Sequence, residues 1–256
     1  MLAVNRQDRI LKLLDEKGFV KVSELSRLFD VAEETIRRDM EKLERQGLLQ
    51  KIHGGATLVS EINEVPPMSQ RKEINMDSKK RIAEAAIKDI SSGDSIILDS
   101  GTTTLMLAHL LPDIDISVIT NDINIAYELS NRERINLILT GGTQRKGSYS
   151  LVGPETERFF DMYNVQKLFL STSGIQLEQG LSVSNTLEAH IKKRIISSAQ
   201  EIICLADHTK FERSALVTFA SINCLNKLIS DEMVDKKYQQ YFEEEGIELI
   251  IAKDMK

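Results

Sequence analysis

The sequence predicts an α/β protein of two parts: a small helical N-terminal domain closed by a hairpin, and a larger domain on a mainly parallel sheet. Three observations carry this. With 256 residues, 41% hydrophobic and 28% charged, and only 4 Pro and 13 Gly, the chain has the composition of one large or two smaller globular domains. The first sixty residues show helical periodicity and end in a Gly-Gly pair between two short runs. Beyond residue 78, short apolar runs alternate with helical stretches, as in sheets covered by helices on both faces.

In the first part, Ile10, Leu13 and Leu14 recur at helical spacing up to Lys17-Gly18, where the glycine suits a C-cap. Val20 and Val22 alternate with polar residues as a short extended piece. Ser23 is the expected N-cap of a second helix over Glu24 to Phe29, with the turn at Asp30-Val31. A third helix is expected from about Ala32 to Gln46, its buried stripe Ile36, Met40 and Leu43 and its stop Gly47. Opposite that stripe lie Glu34, Arg38, Glu41 and Arg45, flanked by Thr35, Arg37 and Lys42. Taken alone, Glu34 to Arg38 and Glu41 to Arg45 are ordinary surface pairs at i,i+4. The run from Leu48 to Val59 reads as a hairpin around Gly54-Gly55, and a helix-turn-helix beside such a wing reaches major groove and phosphates together. Net charge is −6, which excludes a cationic coat for nucleic acid. Residues 1–60 nevertheless carry 11 Lys and Arg against 10 Asp and Glu, and phosphate contact depends on local placement rather than on the total.

Residues 59–77, with Pro66-Pro67, have no sustained period and are expected to link a domain over 3–58 to one over 78–252. A helix bearing Ile82, Ala83, Ala86, Ile87 and Ile90 leads through Gly93-Asp94 into the run Ser95 to Leu98. Further runs are centred on 116–119, 135–139, 167–170, 202–206, 227–229 and 247–250. In such sheets ligands sit at the carboxyl ends of strands, and polar clusters fall there. Asp99-Ser100-Gly101-Thr102-Thr103-Thr104 follows the first strand and opens a helix, so its N–H groups and hydroxyls suit an anion, phosphate above all, although an ordinary capped turn has the same composition. It lacks the spacing and the lysine of a nucleotide P-loop. Thr120-Asn121 and Thr140-Gly141-Gly142 follow the next two strands.

A helix expected from Thr186 to Gln200 places Glu188 and Lys192 about 40° apart, on the same side as Ile195 and Ala199. Two charges on an apolar face point to a polar pocket, and Asp207 with Lys210 extends the set. Cys204 and Cys224 are too few for a disulfide framework, and Cys204, Asp207 and His208 match no metal motif. Neither a cofactor nor a metal is expected. No stretch has the length of a membrane span, and the N-terminal residues lack the apolar core of a signal peptide, so a cytoplasmic location is expected.

The run Val31-Ala32-Glu33-Glu34-Thr35-Ile36-Arg37-Arg38-Asp39-Met40, with Leu43-Glu44, Gly47 and His53-Gly54-Gly55-Ala56, resembles the N-terminal domain of DeoR-family bacterial transcription regulators. The later clusters, including Gly174, Leu205-Ala206-Asp207 and Lys210-Phe211, resemble that family's effector domain, so the likeness covers nearly the whole chain. Ala32 stands where the family commonly has Ser, and Glu212 where it often has Gly. The resemblance implies a sensor domain similar in fold to ribose-5-phosphate isomerase and a repressor of a carbohydrate operon. It places Thr35, Arg37, Arg38 and Lys42 near the major groove of operator DNA and Lys51 and His53 near phosphates. A phosphorylated sugar would lie on Asp99, Ser100, Gly101, Thr102, Thr103, Thr120, Asn121, Gly141, Gly142, Glu188, Lys192, Asp207 and Lys210. A single helix-turn-helix reads few base pairs, so a homodimer or tetramer is expected. The other function class is a sugar-phosphate isomerase using Glu188 and Lys192 as acid and base.

Overall fold

The computed structural model describes residues 3–17, 19–45, 49–52, 54–58, 71 and 74–253. The chain divides into two compact units, Met1–Pro66 and Pro67–Lys256.

In the first unit, α1 (Ala3–Lys17), α2 (Val22–Phe29) and α3 (Glu33–Arg45) surround a sheet of β1 (Phe19–Lys21), β2 (Leu49–Ile52) and β3 (Gly55–Leu58) in the order β1-β3-β2. The core is the one the periodicity marks: Ile10, Leu13 and Leu14 meet Leu25, Ile36, Met40 and Leu43, with Val20, Val22, Leu49 and Ala56 closing it from the sheet side. The second helix starts earlier than expected. Val22 already belongs to it, its N–H donating to Gly54 O at 2.8 Å, and Ser23 is not its cap. The helix closes on Asp30, a left-handed residue whose N–H returns to Ser26 O. Gly54, at φ +79, makes the hairpin turn, whereas Gly55 serves by having no side chain, since a Cβ there would lie 2.1 Å from Val20 O. Asp39 of the Thr-Ile-Arg-Arg-Asp run points inward. Its carboxylate accepts from Arg6 Nε at 2.5 Å and Gln7 Nε2 at 2.8 Å, locking α1 to α3.

The second unit is built on a seven-stranded sheet of β4 (Ser95–Leu98), β5 (Ile116–Thr120), β6 (Ile135–Leu139), β9 (Val165–Leu170), β12 (Ala199–Leu205), β14 (Lys227–Asp231) and β15 (Glu248–Ala252). Its order is β15-β14-β12-β9-β4-β5-β6, with every pairing parallel. Alternate strand residues feed two cores: Ile97, Leu168, Leu170, Ile202, Cys204 and Leu228 on one face, Ile96, Leu98, Phe169, Ile203, Leu205 and Ile229 on the other. That is the period-two pattern of a sheet covered on both sides. Helices α4 (Met76–Ile87), α5 (Thr102–Leu110) and α6 (Ile123–Leu129) cover the second face, and α7 (Pro154–Phe160), α8 (Thr186–Ser197) and α9 (Lys236–Glu244) the first.

Two features go beyond the expectation from sequence. Strands β10 (Gly174–Gln176), β11 (Gly180–Val183) and β13 (Val217–Ala220) form a separate antiparallel sheet, and β7 (Thr143–Gln144) pairs with β8 (Leu151–Val152) as a small hairpin. Helix α8 ends at Ser197, so Ala199, expected on its apolar side, instead opens β12. Among the described residues no helix is long and apolar enough to cross a membrane.

Candidate functional site

On α3, Arg37 and Arg38 are exposed and held loosely by Glu33 at 2.8 Å and Glu34 at 3.4 Å, pairs of the i,i+4 kind that water screens. Lys42 is exposed and Thr35 half-buried. Ala32 provides only its carbonyl to the helix start, accepting from Thr35 N at 2.9 Å, and Glu33 and Glu34 supply the favourable negative charge in the first turn. Glu41 meets Lys51 of the wing at 3.2 Å, and the Lys51 N–H donates to Glu44 at 2.9 Å. Lys51 is therefore tied to the recognition helix rather than held apart from it. His53 lies outside the described residues.

In the second unit, successive strands from β4 run outward one way through β5 and β6, while β9, β12, β14 and β15 run the other way. The topological switch point, where such sheets open a crevice, thus lies between β4 and β9. Asp99 follows β4 and Ser171 follows β9, and the two join across the gap. Asp99 Oδ2 accepts from the Ser171 N–H and hydroxyl, both at 2.9 Å. Gly101 permits this approach, since a Cβ would stand 2.6 Å from that of Ser171.

Lys192 enters the same place from α8. Its ammonium donates to Asp99 Oδ2, to Ser171 O at 2.8 Å and to Ser171 Oγ at 3.0 Å, with side chains only 6% and 2% exposed for Lys192 and Asp99. All three N–H donors of the lysine are used. In this arrangement the Asp99 carboxylate is the counter-ion of Lys192. Glu188, a turn earlier on α8, pairs instead with Arg145 Nε at 2.8 Å, reached from the β7–β8 hairpin.

The surrounding loop groups are ordered by one another. Ser100 Oγ donates to Asp122 at 2.5 Å, and the other oxygen of Asp122 caps α6 through Asn124 N and Ile125 N. Burial raises the Asp122 pKa against these hydrogen bonds. Thr120 Oγ1 donates to Leu98 O at 2.7 Å, and Thr104 Oγ1 to Asp99 O at 2.6 Å. Thr103 is buried and Thr102 half-buried at the start of α5. Asn121 donates to Ser150 Oγ and Leu151 O, both at 3.1 Å, while its Oδ1 is buried without a partner among the described residues. Gly141 and Gly142 support the hairpin: Thr156 Oγ1 donates to Gly141 O at 2.6 Å, and Gly142, at φ +125, leaves room for Thr156. A narrow cleft with a free volume of about 10 Å³ remains, lined by Asp99, Ser100, Asn121, Ser150, Glu188, Ile191 and Lys192.

Asp207, after β12, is fully buried. Its Oδ1 accepts from Thr209 N at 3.0 Å and Asn75 Nδ2 at 3.3 Å, while Oδ2 stands 3.7 Å from Lys210 Nζ, its charged partner. Burial acts to raise its pKa, but Lys210 and the Thr209 hydrogen bonds outweigh that and hold it below the usual range. Burial lowers the pKa of Lys210, and nearby Arg71 and Arg213 lower it further, against Asp207. Lys79 on α4 is buried too, donating to the carbonyls of Arg71 and Ile74, and burial pushes its pKa down to about 8.

Arg71, Lys79, Arg145 and Arg213 escape the sequence reading. A signal existed for one of them: Lys79 shares the apolar face of Ile82, Ala83 and Ala86, at i, i+3, i+4 and i+7. Arg145 and Arg213 lie outside the named helices and strands, where no period marks them, and Arg71, itself helical, falls in the stretch that the sequence reading takes for a linker.

Glu212 adopts φ +54, a left-handed conformation, with its N–H donating to Tyr238 Oη at 3.2 Å and its carboxylate paired with Lys237. The family's glycine takes that backbone without strain.

Comparison with known proteins agrees with this two-part build. Residues 6–62 match the DeoR-like helix-turn-helix domain and residues 74–232 the DeoR C-terminal sensor domain. The HTH-type transcriptional regulator YulB of Bacillus subtilis is 40% identical over 249 residues, covering 97% of this chain and 96% of that one. IolR of the same organism is 36% identical over 92% and 94% of the two chains, and a putative aga operon transcriptional repressor of Escherichia coli O157:H7 is 33% identical over 96% and 93%. Among solved structures, ribose 5-phosphate isomerase A of Methanocaldococcus jannaschii aligns at TM-score 0.40 and 19% identity over 54% of this chain and 55% of that one. A helix-turn-helix with outward arginines, a switch-point cleft behind a sensor-domain match, and full-length likeness to known regulators converge: this chain belongs to the DeoR family of transcriptional regulators.

Proposed function

We propose that this regulator represses a carbohydrate-use operon and that a phosphorylated sugar, bound at the switch-point cleft, alters its affinity for operator DNA. The observation that carries the reading is a group of buried cations in the sensor domain. Lys210, Arg71, Lys79 and Arg213 gather about Asp207, and Arg145 stands over Glu188. Cations whose pKa values are lowered chiefly by burial, and for Lys79 and Lys210 further by cationic neighbours, favour a further anion. The start of α5, after Ser100 and Gly101, adds N–H donors with no intrahelical partner. The unpartnered Asn121 Oδ1 is an acceptor suited to a sugar hydroxyl. A putative aga operon repressor and an L-fucose operon activator are among the relatives, which supports a carbohydrate signal.

On the DNA side, Thr35, Arg37, Arg38 and Lys42 of α3 contact the major groove, and Lys51 and His53 of the wing approach phosphates. The protein works as a homo-oligomer, dimer or tetramer, in the cytoplasm.

A thermal-shift screen of phosphorylated sugars, each beside its unphosphorylated counterpart, tests the effector class. Stabilisation by a phosphorylated member alone is the expected result, and equal response to a neutral sugar would overturn it. For the DNA face, Arg38→Ala should abolish binding to a DNA fragment recovered by in vitro selection, because Arg38 is 77% exposed and supports no core contact. Retained affinity at physiological salt would remove α3 as the reading helix. Light scattering at micromolar concentration should give at least a dimer.

A further inference from the structure

We infer that Arg71, close to where the chain enters the second domain, contacts the effector's phosphate, and that the hold of Lys79 on its carbonyl passes occupancy to the segment that precedes α4. This rests on the reading of the cleft as a phosphate site.

The geometry begins with chain position. Arg71 stands five residues after the break between the units at Pro66 and Pro67. The Lys79 ammonium donates to the carbonyls of Arg71 and Ile74, so a buried cation on α4 fastens this segment. Asn75 Nδ2, one residue further, donates to Asp207 Oδ1 at 3.3 Å. Asp207 in turn faces Lys210 with its second oxygen, 3.7 Å from the ammonium. Arg71 and Ile74 are thus held to the sensor by Lys79, and Asn75 by Asp207.

The Arg71 guanidinium lies within charge–charge reach of Glu188, Arg145, Asp122 and Arg213. Two of these bound the cleft: Glu188 lines it, and Asp122 holds the Ser100 hydroxyl at its mouth. A dianion there meets Arg71 and Arg145 together. It competes with Glu188 for both, because a guanidinium prefers a phosphate that it can bind in bidentate fashion. Movement of the Arg71 side chain onto the phosphate loads the backbone that Lys79 grips, in the segment that precedes α4. Differential contact of this kind is what a ligand needs in order to shift a conformational equilibrium.

The test uses the full chain with inorganic phosphate and glycerol 3-phosphate as probes, comparing wild type, Arg71→Gln, Arg71→Lys and Lys210→Gln. Calorimetry measures affinity, and amide hydrogen exchange follows the peptide spanning residues 67–79. Circular dichroism melts confirm that each variant is folded. In the wild type, binding is expected to change exchange in that peptide. Arg71→Gln should weaken binding about tenfold or more, the scale of a lost charge-assisted hydrogen bond, and at saturation should leave exchange unchanged by the probe. Arg71→Lys should recover part of the affinity, and Lys210→Gln should weaken binding while keeping the exchange response at saturation. Undiminished binding by Arg71→Gln overturns the inference while leaving the phosphate site standing. Weakened binding with an intact exchange response in Arg71→Gln overturns the transmission role. Failure of the wild type to bind either probe removes the phosphate reading and the inference with it.

Discussion

Replacing Lys192 by Met separates two roles that the sequence left together, phosphate ligand and buried counter-ion. The ammonium is almost wholly enclosed and spends its three donors on Asp99 Oδ2, Ser171 O and Ser171 Oγ. Without it, the Asp99 carboxylate, itself 2% exposed, keeps only the Ser171 N–H and hydroxyl. Breaking one side of a buried pair costs about 3–5 kcal/mol, because the remaining charge is left uncompensated. For a domain of this size about 1 kcal/mol moves the melting midpoint roughly 2–4 °C, so Lys192→Met should lower the midpoint of the sensor domain by roughly 6–20 °C. Asp99→Asn alone should cost a comparable amount by stranding the ammonium. The double variant should recover much of the loss, since neither charge then remains unpaired. Calorimetric melts of the wild type, both single variants and the double variant supply the cycle. Additive losses, or a Lys192→Met protein that melts like wild type yet no longer binds phosphate, would refute the counter-ion assignment and return Lys192 to the ligand set.

Three further outcomes follow from the same geometry. Asp39→Ala removes the acceptor of Arg6 and Gln7 between α1 and α3 and should destabilise the N-terminal domain by about 3 kcal/mol or more; a melt in which that domain unfolds no earlier than wild type would contradict it. Lys79 has a folded pKa of about 8, below its unfolded value of 10.5. The unfolded chain therefore binds more protons between those pH values, and stability should rise with pH across that window, by roughly 3 kcal/mol at most. Denaturant titrations at pH 7.5 and 10 should show that slope in the wild type and its loss in Lys79→Met. Glu212→Gly relieves a left-handed non-glycine residue at φ +54, a strain of about 1 kcal/mol, offset in part by greater freedom of the unfolded chain and by loss of the exposed contact with Lys237. The variant should melt at or slightly above the wild-type temperature, and a clear drop would show that the backbone there is unstrained.

What the sequence determined by itself was whatever repeats with a local period. The stripe of Ile36, Met40 and Leu43 is buried as its spacing required, and strand-sized apolar runs became the parallel sheet because each alternates between two cores. The loops after β4, β5 and β12 were legible as a site because a doubly covered sheet brings the carboxyl ends of its strands to one edge. Glu188 and Lys192 were legible as residues in need of polar partners because two charges on an apolar face require them. Which partners they find was decided only by the tertiary structure. Lys192 meets Asp99, ninety-three positions away, and Glu188 meets Arg145, forty-three away, because strand order places β4 beside β9 and the β7–β8 hairpin near α8. Contacts at such separations leave no periodic trace in the chain, and the same reason hid Arg71, whose charged partners lie far along the sequence, while Arg213 lies outside the named helices and strands. Asp39 makes the same point in the other domain: spacing placed it in a motif with two arginines, and only the packing of α1 on α3 shows that it faces inward while Arg37 and Arg38 face water.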